Sequence, residues 1–263
     1  MIQFSGPRGT GVEFRIRGRD IAVNVSDAAS LLGEVKARFA AHEGFAMATI
    51  NLDHLVKLRT SREFFEAYAA QDLVVADGNP IVWLARVAGR RLSLVPGSDM
   101  VLPLAGVAAE MGVKVALVGS TDESLMGAAV EMQRQVPGLE IAVKIAPPMG
   151  FEPSGAGAEE VFAGIEAAGA GMVFLALGAP KQEMFAALGR ERLPGVGFAS
   201  IGAGLDFLAG SQIRAPKWVR AIAMEWAWRI MSSPGRLVPR YAKCLAVLPG
   251  FMLRSFAMRL RGR

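Results

Sequence analysis

Short apolar runs rich in β-branched residues recur along the chain, and between them the apolar positions change from a period of two to a helical period. Nine stretches read as strands: "GVEFRIRG", "DIAVNV", "FAMATIN", "DLVVADG", "RLSLVPG", "VKVALVGS", "EIAVKIAPP", "MVFLALG" and "GVGFASIGAG". Several are separated by amphipathic segments of helix length, at 27–42, 99–111, 122–136 and 159–168. This alternation predicts an α/β fold: a Rossmann-like, mostly parallel buried sheet flanked by helices. The opening pair, "VEFRIRGRDIAV", turns at Gly18-Arg19-Asp20 and reads as a β-hairpin attached to the core. No internal repeat or low-complexity linker interrupts the pattern.

Composition supports a large core, with 52% apolar and 20% charged residues in 263. The net charge of +5 conceals an uneven distribution. Residues 211–263 hold eleven Lys/Arg and one acid, Glu225, a net of +10; residues 1–210 hold 18 bases and 23 acids, a net of −5. Three of the four tryptophans, Trp218, Trp226 and Trp228, share the basic segment. We therefore expect a core at 1–210 and a helical appendage at 211–263. In "WVRAIAMEWAWRIM" and "LAVLPGFMLRSFAMRL", aromatics, Leu and Met stand between well-spaced arginines, which suits a helix lying on an anionic membrane surface. Pro249-Gly250 and Arg254 interrupt the second segment, and no run reaches the ~18–20 apolar residues of a spanning helix. A nucleic-acid partner would call for more Lys/Arg and fewer bulky apolar side chains. The lone Cys244 forms no internal disulfide, no Cys/His cluster resembles a zinc site, and the N-terminus lacks a signal-peptide core, so cytosolic residence is expected.

In a parallel sheet, ligands collect where strands end and helices begin. That rule selects residues 49–54, 77–79, 97–99, 119–121, 178–183 and 202–206. In "LALGAPKQE", Gly178 permits close approach, Pro180 suits a first helical turn, and Lys181, Gln182 and Glu183 stand beside N–H groups that favour an anion. An ordinary strand-to-helix cap, with Glu183 complementing the dipole, explains the same spacing. In "LVGSTDES", Ser120 or Thr121 either caps a helix or borders a phosphate site. Asp77-Gly78, at the end of the "LVVA" strand, reads as a turn or as a base; Asn51 or Asp53 reads as a cap. P-loop and G-x-G-x-x-G patterns are missing, as is any D-x-D pair, which argues against an ordinary NTPase, a dehydrogenase or a carboxylate-held metal. With only His42 and His54, a His-centred hydrolase is disfavoured.

Taken together, "TINLDHLVKLR", "VVADGNPIVW", "PGSDM", "ALVGS", "LGAPKQE", "IGAGLDFLAG" and "RAPKWVRAIAMEWAWRIMSSPGRLVPRY" resemble the WecG/TagA/CpsF glycosyltransferases (glycosyltransferase family 26) over residues 45–241. The resemblance implies an inverting, metal-independent transferase that moves a sugar from a UDP-sugar to a polyprenyl-diphosphate-linked saccharide, with no cofactor. By the "ADG" motif Asp77 matches the general base; Thr49 and Asn51 match polar residues at the neighbouring strand end, and Gln182 the glutamine of "GAPKQE". Gly119, Ser120, Gly178, Ala179, Pro180, Lys181, Gln182 and Gly202 are the corresponding candidates for holding the nucleotide. The family's appendage docks on the membrane and supplies arginines for the leaving diphosphate, here Arg229, Arg236 and Arg240, with Arg214 structural or peripheral. It also implies a peripheral location on the inner face of the bacterial plasma membrane and self-association of the core in solution. Many members carry arginine where this chain has Leu94, so either Arg90 or Arg91 takes that role or the acceptor differs. The donor sugar is open among glucose, N-acetylmannosamine and its uronic acid. A membrane adaptor that keeps the fold without catalysis is the rival reading.

Overall fold

A computed structural model describes residues 2–3, 12–216, 218–219, 223–232 and 234–261. The core is a six-stranded parallel sheet built from β4 (Phe45–Ile50), β5 (Leu73–Ala76), β6 (Val115–Gly119), β7 (Ile141–Ile145), β8 (Met172–Ala176) and β9 (Gly197–Ser200). Its spatial order is β5-β4-β9-β8-β6-β7. The inner strands β4, β6 and β9 are buried along their whole length, and β8 up to Ala176, as expected for a sheet covered on both faces. Their side chains still alternate between faces. Phe45, Met47, Leu73, Val75, Val115, Leu117, Met172 and Phe174 enter one apolar cluster. Ala46, Ala48, Val74, Ala116, Val118, Val173 and Leu175 enter clusters on the other side.

The first face is covered by α1 (Ala28–Ala40), α5 (Gly97–Glu110), α6 (Asp122–Gln135) and α9 (Gly204–Ala209). The second carries α2 (Leu52–Thr60), α3 (Arg62–Ala69), α4 (Asn79–Val87), α7 (Ala156–Ala167) and α8 (Lys181–Arg192). A separate antiparallel sheet, β1 (Ile2–Gln3), β2 (Val12–Ile16) and β3 (Arg19–Val23), packs Phe14, Ile21 and Val23 beside α2–α4. The hairpin turns one residue earlier than expected. Arg17 and Gly18 both have positive φ (53° and 80°), as a two-residue loop matching strand twist requires, so Arg19 and Asp20 belong to β3.

The "RLSLVPG" stretch is not a strand. Ser93 N–H bonds Ser26 O, and Val95 N–H bonds Ala76 O at the edge of β5, before Pro96 turns the chain into α5. A proline has no N–H to extend such pairing into a ladder.

The basic segment forms α10 (Glu225–Ser232) and α11 (Pro234–Arg261). The 28-residue α11 runs through Pro239 and Pro249 without a break. It lies across α2 and α4. Leu237, Cys244 and Phe251, spaced seven apart, are buried in its contact with the core, and Phe251 meets Phe14 edge-on at 6.2 Å. No described helix is long and apolar enough to cross a membrane.

Candidate active site

The C-terminal ends of β4, β5, β8 and β9 converge on one mouth, and Asp77 stands at its rim. The parallel ladder continues one bond past the strands, from Asp77 N–H to Ile50 O at 2.8 Å. Thr49 Oγ1 donates to Asp77 Oδ2 at 3.3 Å. Gly78, at φ 142°, brings the start of α4 against α2: a Cβ there would lie 3.4 Å from Asn51 Cβ. Asn51 itself caps α2, accepting from His54 N–H at 3.1 Å. Gly97 lets α5 begin directly on the strand ends, since an added Cβ would sit 3.0 Å from Thr49 Cγ2 and 3.2 Å from Ser200 O.

Behind the rim, Thr49 is held by its carbonyl. That oxygen accepts from Tyr68 Oη and, at 2.8 Å, from His54 Nδ1. Burial lowers the His54 pKa to about 4, against the pull of Asp53, so the imidazole is neutral and its Nδ1–H is the donor. Burial, then the charges of Glu183 and Asp77, raise the Tyr68 phenol well above its ordinary value. His54 and Tyr68 therefore brace the end of β4 as neutral donors.

The opposite wall is the turn from β8 into α8. Gly178 (φ 71°) accepts the Gln182 N–H at 3.1 Å. The Gln182 amide is buried and fixed at both ends: Oε1 accepts from Gly202 N–H at 3.2 Å, and Nε2 donates to Glu183 Oε1 at 3.0 Å. Gln182 and Gly202 are thus brought together, linking the β8 and β9 loops. Ala179 O accepts from Lys57 Nζ at 3.3 Å. Lys181, by contrast, donates to Phe151 O and lies 3.7 Å from Glu152.

The β6 turn is more fully committed to the fold. Ser120 N–H bonds Ala176 O at 3.1 Å, its Oγ donates to Asp206 Oδ1, and Thr121 rather than Ser120 caps α6. Gly119 packs its backbone on Ala176. Asp206 also accepts from Gln212 Nε2 at 2.7 Å, joining α9 to the segment that leads into the basic tail. Arg214 pairs with Asp99 on the first turn of α5 and lies over Phe207 at 5.6 Å.

Of the three tail arginines singled out, Arg240 reaches Asp53: Nη2 lies 2.8 Å from Oδ2. Arg229 and Arg236 are on α10 and α11, and their side chains lie outside the described residues. Leu94 is exposed beside the start of α5, and Trp83 is exposed on α4.

Sequence reasoning set Glu183 on the opening turn of α8, either beside an anion site or as a complement to the helix dipole, and did not foresee its burial. It is fully buried, and burial lifts its pKa to about 7. It also missed Tyr68, the bond from Ser120 to Asp206 and the Asp53–Lys57 pair; only the i,i+4 spacing of the last was visible. Helices α4, α5 and α8 open at this mouth with no side chain capping them. Their N-terminal N–H groups and dipoles favour a bound anion. Among the described residues, no group of three or more His, Cys, Asp or Glu is placed to hold a metal ion.

An acid at a strand mouth among uncapped helix starts suits an anionic, group-donating substrate, and comparison with known proteins assigns the class. The family model for the glycosyl transferase WecG/TagA/CpsF family matches residues 16–263. The chain belongs to that family. It is similar to the N-acetylglucosaminyldiphosphoundecaprenol N-acetyl-beta-D-mannosaminyltransferase of Bacillus subtilis (strain 168), at 27% identity over 206 residues, covering 76% of this chain and 78% of the relative.

Proposed function

We propose that this family member transfers a sugar from a UDP-sugar to a polyprenyl-diphosphate-linked saccharide, with inversion and without a metal. The observation that carries the reading is Asp77, held by Thr49 at the sheet mouth beside the uncapped starts of α4, α5 and α8. Asp77 accepts the proton of the acceptor hydroxyl while that oxygen bonds to the anomeric carbon. The bond from that carbon to the diphosphate breaks on the far side, and UDP departs. The departing charge is met by helix N–H groups and by Arg229 and Arg236. Gln182, locked by Gly202 and Glu183, has one amide proton left to offer the substrate. The name of the Bacillus subtilis relative makes an N-acetylhexosamine the first donor to try and an N-acetylglucosaminyl diphosphate lipid the first acceptor.

The test is UDP release by the full-length protein on liposomes, with a panel of UDP-sugars and lipid-linked acceptors. Asp77→Asn should lower turnover by about a thousand-fold or more while UDP binding stays within about two-fold, as for loss of a group needed only in the transition state. Near-normal turnover in that variant would remove Asp77 as the base. UDP binding without release from any pair would point to an untested acceptor, and no UDP binding at all would favour a non-catalytic adaptor.

A further inference from the structure

One acidic side chain at the start of α2 pairs with the C-terminal helix and takes no part in the transfer step proposed above. Asp53, on the first turn of α2, is buried, yet two cations from different elements share its Oδ2. Arg240 Nη2 of α11 is 2.8 Å away and Lys57 Nζ of α2 is 3.0 Å away. The same Lys57 ammonium donates to Ala179 O, one residue past the positive-φ Gly178 and three before Gln182. A path of two ion pairs at Asp53 Oδ2, neither aligned as a hydrogen bond, and one hydrogen bond from Lys57 thus runs from the C-terminal helix to the loop that presents Gln182. Arg240 Nε is buried in the contact with no hydrogen-bond partner among the described residues, while the side chain as a whole is about 37% exposed, so the arginine is half-seated in the interface.

We propose that Asp53 and Lys57 are positioning residues, through which the seating of α11 by Arg240 fixes the Gln182 loop for transfer. The inference rests on the transferase reading above. A buried carboxylate that loses one of two cations draws the other closer. Without Arg240, Asp53 takes Lys57 for itself, and the contact that yields is the long 3.3 Å bond to Ala179 O. An enzyme whose acceptor is a lipid gains from such a link, because the donor loop is ordered only when the tail is in place. Arg240 then acts through Asp53, and the diphosphate is left to Arg229, Arg236 and the helix starts.

A mutant cycle on the full-length chain separates this from a direct contact between Arg240 and the donor. Hydrogen exchange of residues 177–183 is measured without substrate for Arg240→Met, Asp53→Asn, the double variant and Arg240→Lys. The values of kcat and donor KM are measured on liposomes. Both single variants should speed loop exchange and lower kcat by about ten-fold with donor KM changed less than about two-fold, and the double variant should be no worse than either. Arg240→Lys should restore most of the loop protection. Additive losses with a raised donor KM would mean that Arg240 meets the donor itself, and unchanged loop exchange would mean that no path connects the two; either overturns the proposal. Should no variant and no wild-type preparation transfer sugar, the transferase reading fails, while loop exchange still decides the coupling.

Discussion

Glu183 is a carboxyl group with no water in which to ionise. Its Oε1 accepts from Gln182, its Oε2 has no hydrogen-bond partner among the described residues, and burial raises its pKa from 4.5 to about 7. Between pH 4.5 and 7 an unfolded chain releases this proton and the folded one keeps it, so stability from this group falls as pH rises and levels off above about 7. The shift corresponds to a loss of up to ~3 kcal/mol. His54 works in the opposite sense. Buried and neutral, with its pKa lowered from 6.5 to about 4, it adds stability as pH rises through that interval. The two slopes oppose each other below pH 6.5, so the melting curve of the wild type alone hides both. The difference between Glu183→Gln and wild type isolates the carboxyl: the melting temperatures should be close at pH 4.5, and the variant should be the more stable above pH 7. A constant difference across pH would show that Glu183 ionises as an ordinary surface acid. Neither residue announced itself in the sequence. A Glu on a first helical turn usually faces solvent, and only the packing of α3 against α8 makes it a core residue.

At the scale of elements, α11 joins the core through a narrow stripe. Leu237, Cys244, Phe251 and Ser255 are buried, and Val238, Leu245, Leu253 and Phe256 are exposed. Phe251 is the largest of the buried side chains, closing on Phe14 of β2. Phe251→Ala should weaken docking by about 3 kcal/mol. The six-stranded sheet bonds only among its own strands, so the loss should appear as faster hydrogen exchange in residues 240–255 while β4, β8 and β9 stay protected. Equal acceleration in both would show that tail and core unfold as one unit. The element pattern was readable in advance wherever it is local. Alternating apolar residues and flanking helix periods revealed every strand of the parallel sheet, and the predicted helices have ends within three residues of the observed ones. Readings failed where a distant partner decides. Residues 91–96 look like a strand, but among the described residues their N–H groups bond only Ser26 O and, at the edge of β5, Ala76 O. The Asp53–Arg240 pair joins residues far apart in sequence, so no local spacing foretells it.

For the whole molecule, the decisive feature is that the positive charge and the exposed apolar residues occupy the same segment. Trp218, Trp226, Met231, Leu245, Leu253, Phe256 and Leu260 are exposed, and so are Lys243, Arg254 and Arg259 between them. At ~1.5 Å per residue, α11 extends about 42 Å, enough to lie along a bilayer surface with its buried stripe still on the core. The first 210 residues carry a net of −5 and would be repelled from anionic lipid, so we propose that this segment is what attaches the protein to such a surface. Each Lys or Arg near an anionic surface contributes about 1 kcal/mol. Arg254→Gln with Arg259→Gln should therefore weaken binding to phosphatidylglycerol-rich vesicles by roughly thirty-fold at low salt. Both residues are exposed and remote from Asp77 in the chain, so melting temperature and UDP binding should hold. The wild type should lose most of the same affinity on raising the salt, and the difference between the two proteins should narrow there. Co-sedimentation across a salt series measures this directly. Vesicle binding that is unchanged by the double substitution but abolished by replacing Trp226 and Leu253 with polar residues would assign attachment to insertion of the apolar side chains, with charge serving only to orient the mouth toward the lipid-linked acceptor.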